Sequence, residues 1–148
     1  MDRHAHVSPA EPASDWDAQS PAHAQDEALN ASELYLSREL TWLNFNRRVL
    51  NEAADIRNPL LERLKFLSIS DSNLDEFVMK RIGGLKQQIA AGVHAPTVDG
   101  RTPGEQLKAC YAEIHALRTA QDHVCESLLR DLADNGIRIT EYSQLSPE

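Results

Sequence analysis

The chain has 148 residues and a formal net charge of −8, which leaves room for about one domain. The acidity is uneven. Residues 1–33 hold seven acids and one base, a net of −6, and the remainder holds 16 acids and 14 bases, a net of −2. From Arg38 to Ala90 nine bases stand against seven acids, too even a balance for a nucleic-acid footprint, which needs a strong basic patch. No run approaches the ~18 consecutive apolar residues of a membrane span. The first residues, MDRHAHVSPAEPASDWD, contain no signal-peptide apolar core, so the expected compartment is the cytoplasm.

Residues 1–33 are rich in Ala, Ser, Pro, Asp, Gln and His and show no apolar period. That composition predicts a disordered acidic tail. The irregularly spaced His4, His6 and His23 are read as composition rather than as metal ligands. From Leu34 the pattern becomes helical. Ser37 is a good N-cap for a helix from Arg38 to about Ile56, with Leu40, Trp42, Leu43, Phe45, Val49, Leu50 and Ala53 as its buried face. Asn58-Pro59 ends it and Pro59 suits the first turn of the next helix.

The stretch Leu60–Leu85 carries an apolar series on both sides of a polar tetrad. Leu60, Leu61, Leu64, Phe66, Leu67 and Ile69 precede the tetrad, and Leu74, Phe77, Val78, Ile82 and Leu85 follow it. The tetrad Ser70-Asp71-Ser72-Asn73 reads as a break. Ser72 with Asp75, or Asn73 with Glu76, would cap a third helix running from about Leu74 to Ala91. Side-chain oxygens beside free helix N–H groups would make a polar ligand edge there. Gly83-Gly84 inside this helix costs roughly 1 kcal/mol per glycine against alanine. Close contact with a neighbouring helix is the expected reason, and a hinge the alternative.

Gly92–Gly104 reads as a loop. Thr102-Pro103 opens a long helix to about Asn135, with the stripe Leu107, Cys110, Ile114, Leu117, Gln121, Val124, Leu128 and Leu132, and Asn135-Gly136 terminates it. Cys110 and Cys125 on this one helix would be roughly 22 Å apart, too far for a disulfide. Both are read as small apolar residues. Ile137-Arg138-Ile139-Thr140 alternates and is expected to form one strand opening a further domain. A lone strand needs a partner. The expected fold class is all-α: an antiparallel helical bundle of three to four helices with a disordered tail and one trailing strand.

Few side chains carry a chemical signal. Asp71, Asn73 and Asp75 match the first three ligands of a calcium loop, but Glu76 stands where glycine is required and Ile82 where the bidentate glutamate belongs. His115 and His123, eight apart, have no metal-ligand company. Gly83-Gly84 is not followed by Lys-Ser or Lys-Thr as a phosphate loop requires. Arg47, Arg48, Arg63, Lys65, Lys80, Arg81 and Lys86 lie mostly off the apolar stripes. They are read as a solvated face, with an anionic partner as the alternative.

The pieces REL-W-L-FN-RVL, NPLLERLKFL and NLDEF within residues 34–145 closely resemble the N-terminal domain of bacterial polyphosphate kinase of the phosphohistidine type. Residues 1–33, the disordered acidic tail, lie outside the resemblance, which implies the helical N-terminal domain at 34–136 and the start of the next domain at 137–148. The resemblance also implies a parent enzyme that reversibly moves the terminal phosphate of ATP onto polyphosphate. The phosphohistidine and the magnesium (Mg2+) ligands of such an enzyme lie in later domains. None of the six histidines here is the nucleophile, no catalytic or metal residue is assigned, and this piece alone is expected to be inactive. The implied role of the domain is to cap the nucleotide pocket and to support dimer contacts in a homo-oligomer. One residue carries over by motif: Asn73, the asparagine of NLDEF, resembles the ATP-binding residue. An amide can both donate to and accept from an adenine edge. The alternative is a helical interaction or dimerisation module that binds no nucleotide.

Overall fold

The computed structural model describes residues 35–140. The reading of residues 1–33 as a disordered tail lies outside the described residues, as does most of the segment 137–148. Four α-helices and one π-helical turn form the described chain: α1 (Arg38–Ala54), α2 (Leu60–Phe77), the π turn (Val78–Ile82), α3 (Gly83–Ala90) and α4 (Pro103–Asp134). α2, the π turn and α3 follow one another without a gap, so three long helical bodies make the bundle. Paired side chains fix their directions. Asn46 meets Ser70 and Arg63 meets Ala53, so α1 and α2 run antiparallel. Gln121 meets Ser70 and Asp131 meets Arg63, so α4 runs antiparallel to α2.

Local chemistry explains the helix ends. Ser37 caps α1, its Oγ accepting from Leu40 N–H at 3.4 Å. Asp55, Arg57 and Asn58 close the α1–α2 connection. Arg57 Nε donates to Asp55 Oδ1 at 2.9 Å, and Asn58 Nδ2 to the Glu52 carbonyl at 2.9 Å. Thr102 and Glu105 form a full capping box at the start of α4, with Pro103 in its first turn. α3 and α4 both end on a left-handed glycine, Gly92 (φ 71°) and Gly136 (φ 80°). Val93 N–H donates to Gln88 and Ile137 N–H to Leu132, the six-to-one bond of a Schellman end.

The core is made by Leu43, Leu50 and Ala53 of α1, Leu74 and Phe77 of α2, Ile82 and Leu85, and Cys110, Ile114 and Leu117 of α4. Burial pushes the Cys110 thiol up to about 11, as expected for a small residue used as an apolar one. A polar seam crosses this core. Asn46 and Ser70 are fully buried and Gln121 is nearly so. Gln121 Nε2 donates to Ser70 Oγ at 3.0 Å, and Asn46 Nδ2 donates to the Ser70 carbonyl at 2.9 Å. Each bond offsets a desolvation cost that an unpaired group would carry in full.

Five expectations are corrected. The tetrad Ser70–Asn73 is no break: α2 runs through it, and Ser70 faces the core instead of capping a helix. The irregularity falls five residues later, at the π turn. Leu61 and Ile69 are 54% and 47% exposed rather than buried, because the buried face of α2 is the narrower series Arg63, Ser70, Leu74 and Phe77. Phe45 on α1 is likewise 47% exposed. Arg63 does not belong to a solvated face: it is 7% exposed. Its Nε donates to the Ala53 carbonyl at 2.9 Å and its Nη1 to Asp131 Oδ2 at 3.0 Å. It thereby satisfies a carbonyl of α1's last turn, which has no partner within the helix.

The remaining two corrections concern glycines and the chain end. Gly83 and Gly84 make no close helix contact, since a Cβ at either would meet nothing within 4 Å. Ile137–Thr140 forms no strand. These residues are exposed and have no strand beside them among the described residues, and a strand without a ladder partner is not stable.

Candidate functional site

The C-terminal third of α2 and the π turn form one wall of an open cleft, and α1 forms the other. Trp42 and Phe77 stack across it, ring centroids 4.9 Å apart and planes 18° apart. Phe45 stands at the mouth with the Arg48 guanidinium 5.9 Å from its ring centroid. Asn73 is half-buried in the wall, and Glu76, Lys80 and Arg81 continue it. The cleft measures about 380 Å³, within the usual range for small-molecule sites of about 300–1,000 Å³.

The sequence places Asn73 at a helix start, but the structure places it well inside α2. Its cap role is therefore excluded. Its Nδ2 donates to Asn46 Oδ1 at 3.2 Å, so the residue joins the end of the polar seam. The Asn73 Oδ1 accepts no hydrogen bond among the described residues. Asp71, Asn73 and Asp75, which match the start of a calcium loop in sequence, lie instead on one continuous helix. Among the described residues no group of three or more His, Cys, Asp and Glu stands together as a metal cage.

The cations are distributed unevenly. Arg47 bonds Glu113 at 2.9 Å and Arg118 bonds Asp75 at 3.3 Å. Lys80 pairs with Glu76 one turn back. Arg81 is exposed and makes no ion pair among the described residues. Lys80 and Arg81 also line a second cleft of about 360 Å³, with Arg38, Gly84, Gln88 and Thr97. The loop wall of that cleft is stiffened at Asp99. Burial opposes its ionisation, but bonds from Thr97, Arg101 and Gln106 outweigh this and hold the carboxyl below its ordinary value. The open face of Gly84 looks onto this space, so the two clefts meet at Lys80 and Arg81. A third depression, between α2 and α4, holds Leu64, Leu67, Arg118 and Cys125 and lacks both unpaired cation and exposed ring.

The π turn shapes this junction. Gly83 N–H reaches back to the Val78 carbonyl, five residues away, which inserts one residue into the helix. π turns of this kind recur at functional sites. Here the insertion keeps Phe77 and Ile82 both in the core while turning Met79, Lys80 and Arg81 out to solvent.

Sequence reasoning passed over Asn46, Ser70 and Arg63 as buried functional groups. A signal was present. Leu43, Asn46, Leu50 and Ala53 are spaced three, four and three apart, so Asn46 occupies a core position of α1. A polar residue at such a position is buried and must find partners.

A family model described as the polyphosphate kinase N-terminal domain matches residues 35–140. A polyphosphate kinase of Synechocystis sp. is 54% identical over 115 residues, covering 77% of this chain and 16% of that protein. One of Thermosynechococcus vestitus is 44% identical over 134 residues, covering 88% and 18%. One of Halalkalibacterium halodurans is 49% identical over 123 residues, covering 82% and 17%. The chain thus spans less than a fifth of the length of these relatives. No solved structure matches it. With helices, cleft and NLDEF segment all inside the matched range, the chain belongs to the polyphosphate kinase family, of which it is the N-terminal domain.

Proposed function

We propose that this domain serves a kinase that reversibly transfers the terminal phosphate of ATP to polyphosphate, and that it covers the nucleotide pocket of that enzyme. Asn73 contacts the adenine. The observation that carries this reading is the cleft itself. It combines exposed aromatic surface at Phe45, an amide with an unused acceptor at Asn73, and cations at Lys80 and Arg81. Aromatic faces stack on bases, and cations favour phosphates. The relatives are named polyphosphate kinase, which fits a nucleoside triphosphate as the occupant.

The phosphohistidine and the magnesium ligands are assigned to parts of the parent enzyme outside this chain. Exposed apolar side chains, Leu61 and Ile69 on α2 and Leu129 on α4, offer surface for those parts or for a second subunit. The alternative, a module that binds no nucleotide, leaves the cleft without a use.

The test is Asn73→Ala in a full-length polyphosphate kinase that carries residues 35–140 of this chain in place of its own. Losing one hydrogen bond should raise the KM for ATP about two- to tenfold. Stability should fall by about 1–3 kcal/mol, because the buried Asn46 Oδ1 loses its donor, a loss that alanine's better helix propensity offsets only in part. A wild-type KM in a folded variant would remove Asn73 from the site. Asn73→Asp is a poorer probe, since a carboxylate there would face Asn46 Oδ1 and could not donate to it.

A further inference from the structure

We propose that Asn46 is a positioning residue that sets which way the Asn73 amide faces, and so selects a purine with an amino group at position 6 over one with an oxo group. The proposal rests on Asn73 contacting the base, and it names what decides the specificity of that contact.

The chain of reasoning starts at Ser70. Its backbone carbonyl is buried and can only accept. Asn46 Nδ2 donates to it at 2.9 Å, which fixes the orientation of the Asn46 amide. The opposite atom, Asn46 Oδ1, can only accept as well, so whatever approaches it must donate. Asn73 meets this demand with Nδ2 at 3.2 Å. Asn46 is fully buried, so water cannot stand in for either partner. Each amide in the row is therefore set by the one before it, and the row begins at a group that cannot reverse.

The far end of the row lies in the cleft. Asn73 is left with Oδ1 as an unused acceptor and with the second hydrogen of Nδ2. Adenine presents a donor, its 6-amino group, next to the N1 acceptor, and an asparagine amide can pair with that pattern through both atoms, Oδ1 accepting and Nδ2 donating. A 6-oxo purine reverses both groups, with an acceptor at position 6 and a donor at N1–H, so Oδ1 would face oxygen and Nδ2 a donor. An unrestrained asparagine could turn its amide over to suit the oxo form. Asn73 cannot do so without facing its own oxygen to the buried Asn46 Oδ1, where unmatched acceptors are costly.

The experiment compares ATP with inosine triphosphate, which replaces the 6-amino group by oxo, in the same full-length chimera. The wild-type domain should favour ATP, through KM and not kcat, by the two- to tenfold that one hydrogen bond carries. Asn73→Ala should lose the preference. Asn46→Leu should narrow it towards one, because the Asn73 amide is then free to turn. Gln121→Leu breaks the same seam at the Ser70 hydroxyl but leaves the Asn46–Asn73 bond in place, so it should lower stability and keep the preference.

The outcomes separate. If Asn73→Ala weakens ATP but Asn46→Leu keeps the wild-type ATP-to-inosine ratio, the positioning role is overturned and the base contact survives. If Asn73→Ala changes nothing, the base contact fails and the proposal falls with it. Equal use of the two nucleotides by the wild-type domain overturns the proposal without any variant, and should Asn46→Leu fail to fold, Asn46→Ala is read in its place: a wild-type ATP-to-inosine ratio there overturns the positioning role.

Discussion

Arg63 and Arg81 stand on the same helical body and have opposite fates. Arg63, near the start of α2, is 7% exposed and spends its guanidinium on the Ala53 carbonyl and on Asp131. Arg81, beyond the end of α2, is exposed, borders both clefts and makes no ion pair among the described residues. The difference holds for the two regions around them. Near Arg63 the helix ends are tied by side chains and the polar groups have partners. Near Arg81 the helix loosens into a π turn, two glycines follow with open space beside them, and aromatic rings reach solvent. One end of the bundle is built for stability and the other keeps its chemistry available.

The comparison can be broken by substitution. Leu74 lies between the two regions and is fully buried. Leu74→Ala should destabilise by about 2–5 kcal/mol, read from urea denaturation. A smaller loss would mean that the open end lets the core collapse around the hole. Arg63→Met keeps the bulk but removes both bonds. It should cost about 1.5–3 kcal/mol, the range for hydrogen bonds from a charged donor, and the melting temperature should fall accordingly. An unchanged value would show that Arg63 is filling space and nothing more.

Gly83→Ala and Gly84→Ala should act in the opposite direction. Nothing stands within 4 Å of the added methyl group, and alanine is the better helix former. Each should raise stability by about 0.4–1 kcal/mol, visible as a higher melting temperature. If Gly84→Ala stabilises the chain yet impairs the full-length chimera, the open face of Gly84 is needed by something that enters the cleft.

The smallest effect concerns pH at the tied end. A side-chain hydrogen bond from Arg57 is the main reason that the Asp55 carboxyl falls from 3.8 to about 2. A carboxyl lowered on folding stabilises the fold at pH values above its unfolded pKa, and that contribution is lost as pH falls from about 4 through 2. Asp55→Asn should therefore show a shallower fall in melting temperature over that window than the wild type. Parallel curves would mean that the exposed pair is inert, as many surface pairs are.

Helix identity was legible from the sequence wherever a cap or a terminator sat at the boundary. Ser37, Pro59, Thr102-Pro103 and Gly136 all mark ends within two residues of those observed. The tetrad Ser70–Asn73 misled because four capping residues in a row look like a helix start. Ser70 is instead matched by two partners from other helices, Asn46 and Gln121, which no local pattern reveals. The π turn was written in the spacing. Phe77 and Ile82 are both core residues five apart, a step that a regular helix does not use on one face. Of the site, Asn73 was legible only through the NLDEF motif. Phe45 reads as core by its period, and its exposure depends on how closely α1 approaches α2.

The extra residue in Val78–Ile82 also bears on how this family can vary in length. Deleting one residue from an ordinary helix rotates everything after it by about 100° and takes the apolar face away from its partner. Deleting Met79, which is 71% exposed, would instead return the turn to α-helix, with Phe77 and Ile82 four apart and still on one face. The bundle should survive that loss, whereas Lys80 and Arg81 would point elsewhere. Natural chains one residue shorter at this point would then share the fold and differ in what the cations reach, so that length alone, with no change of residue type, would separate their ligands.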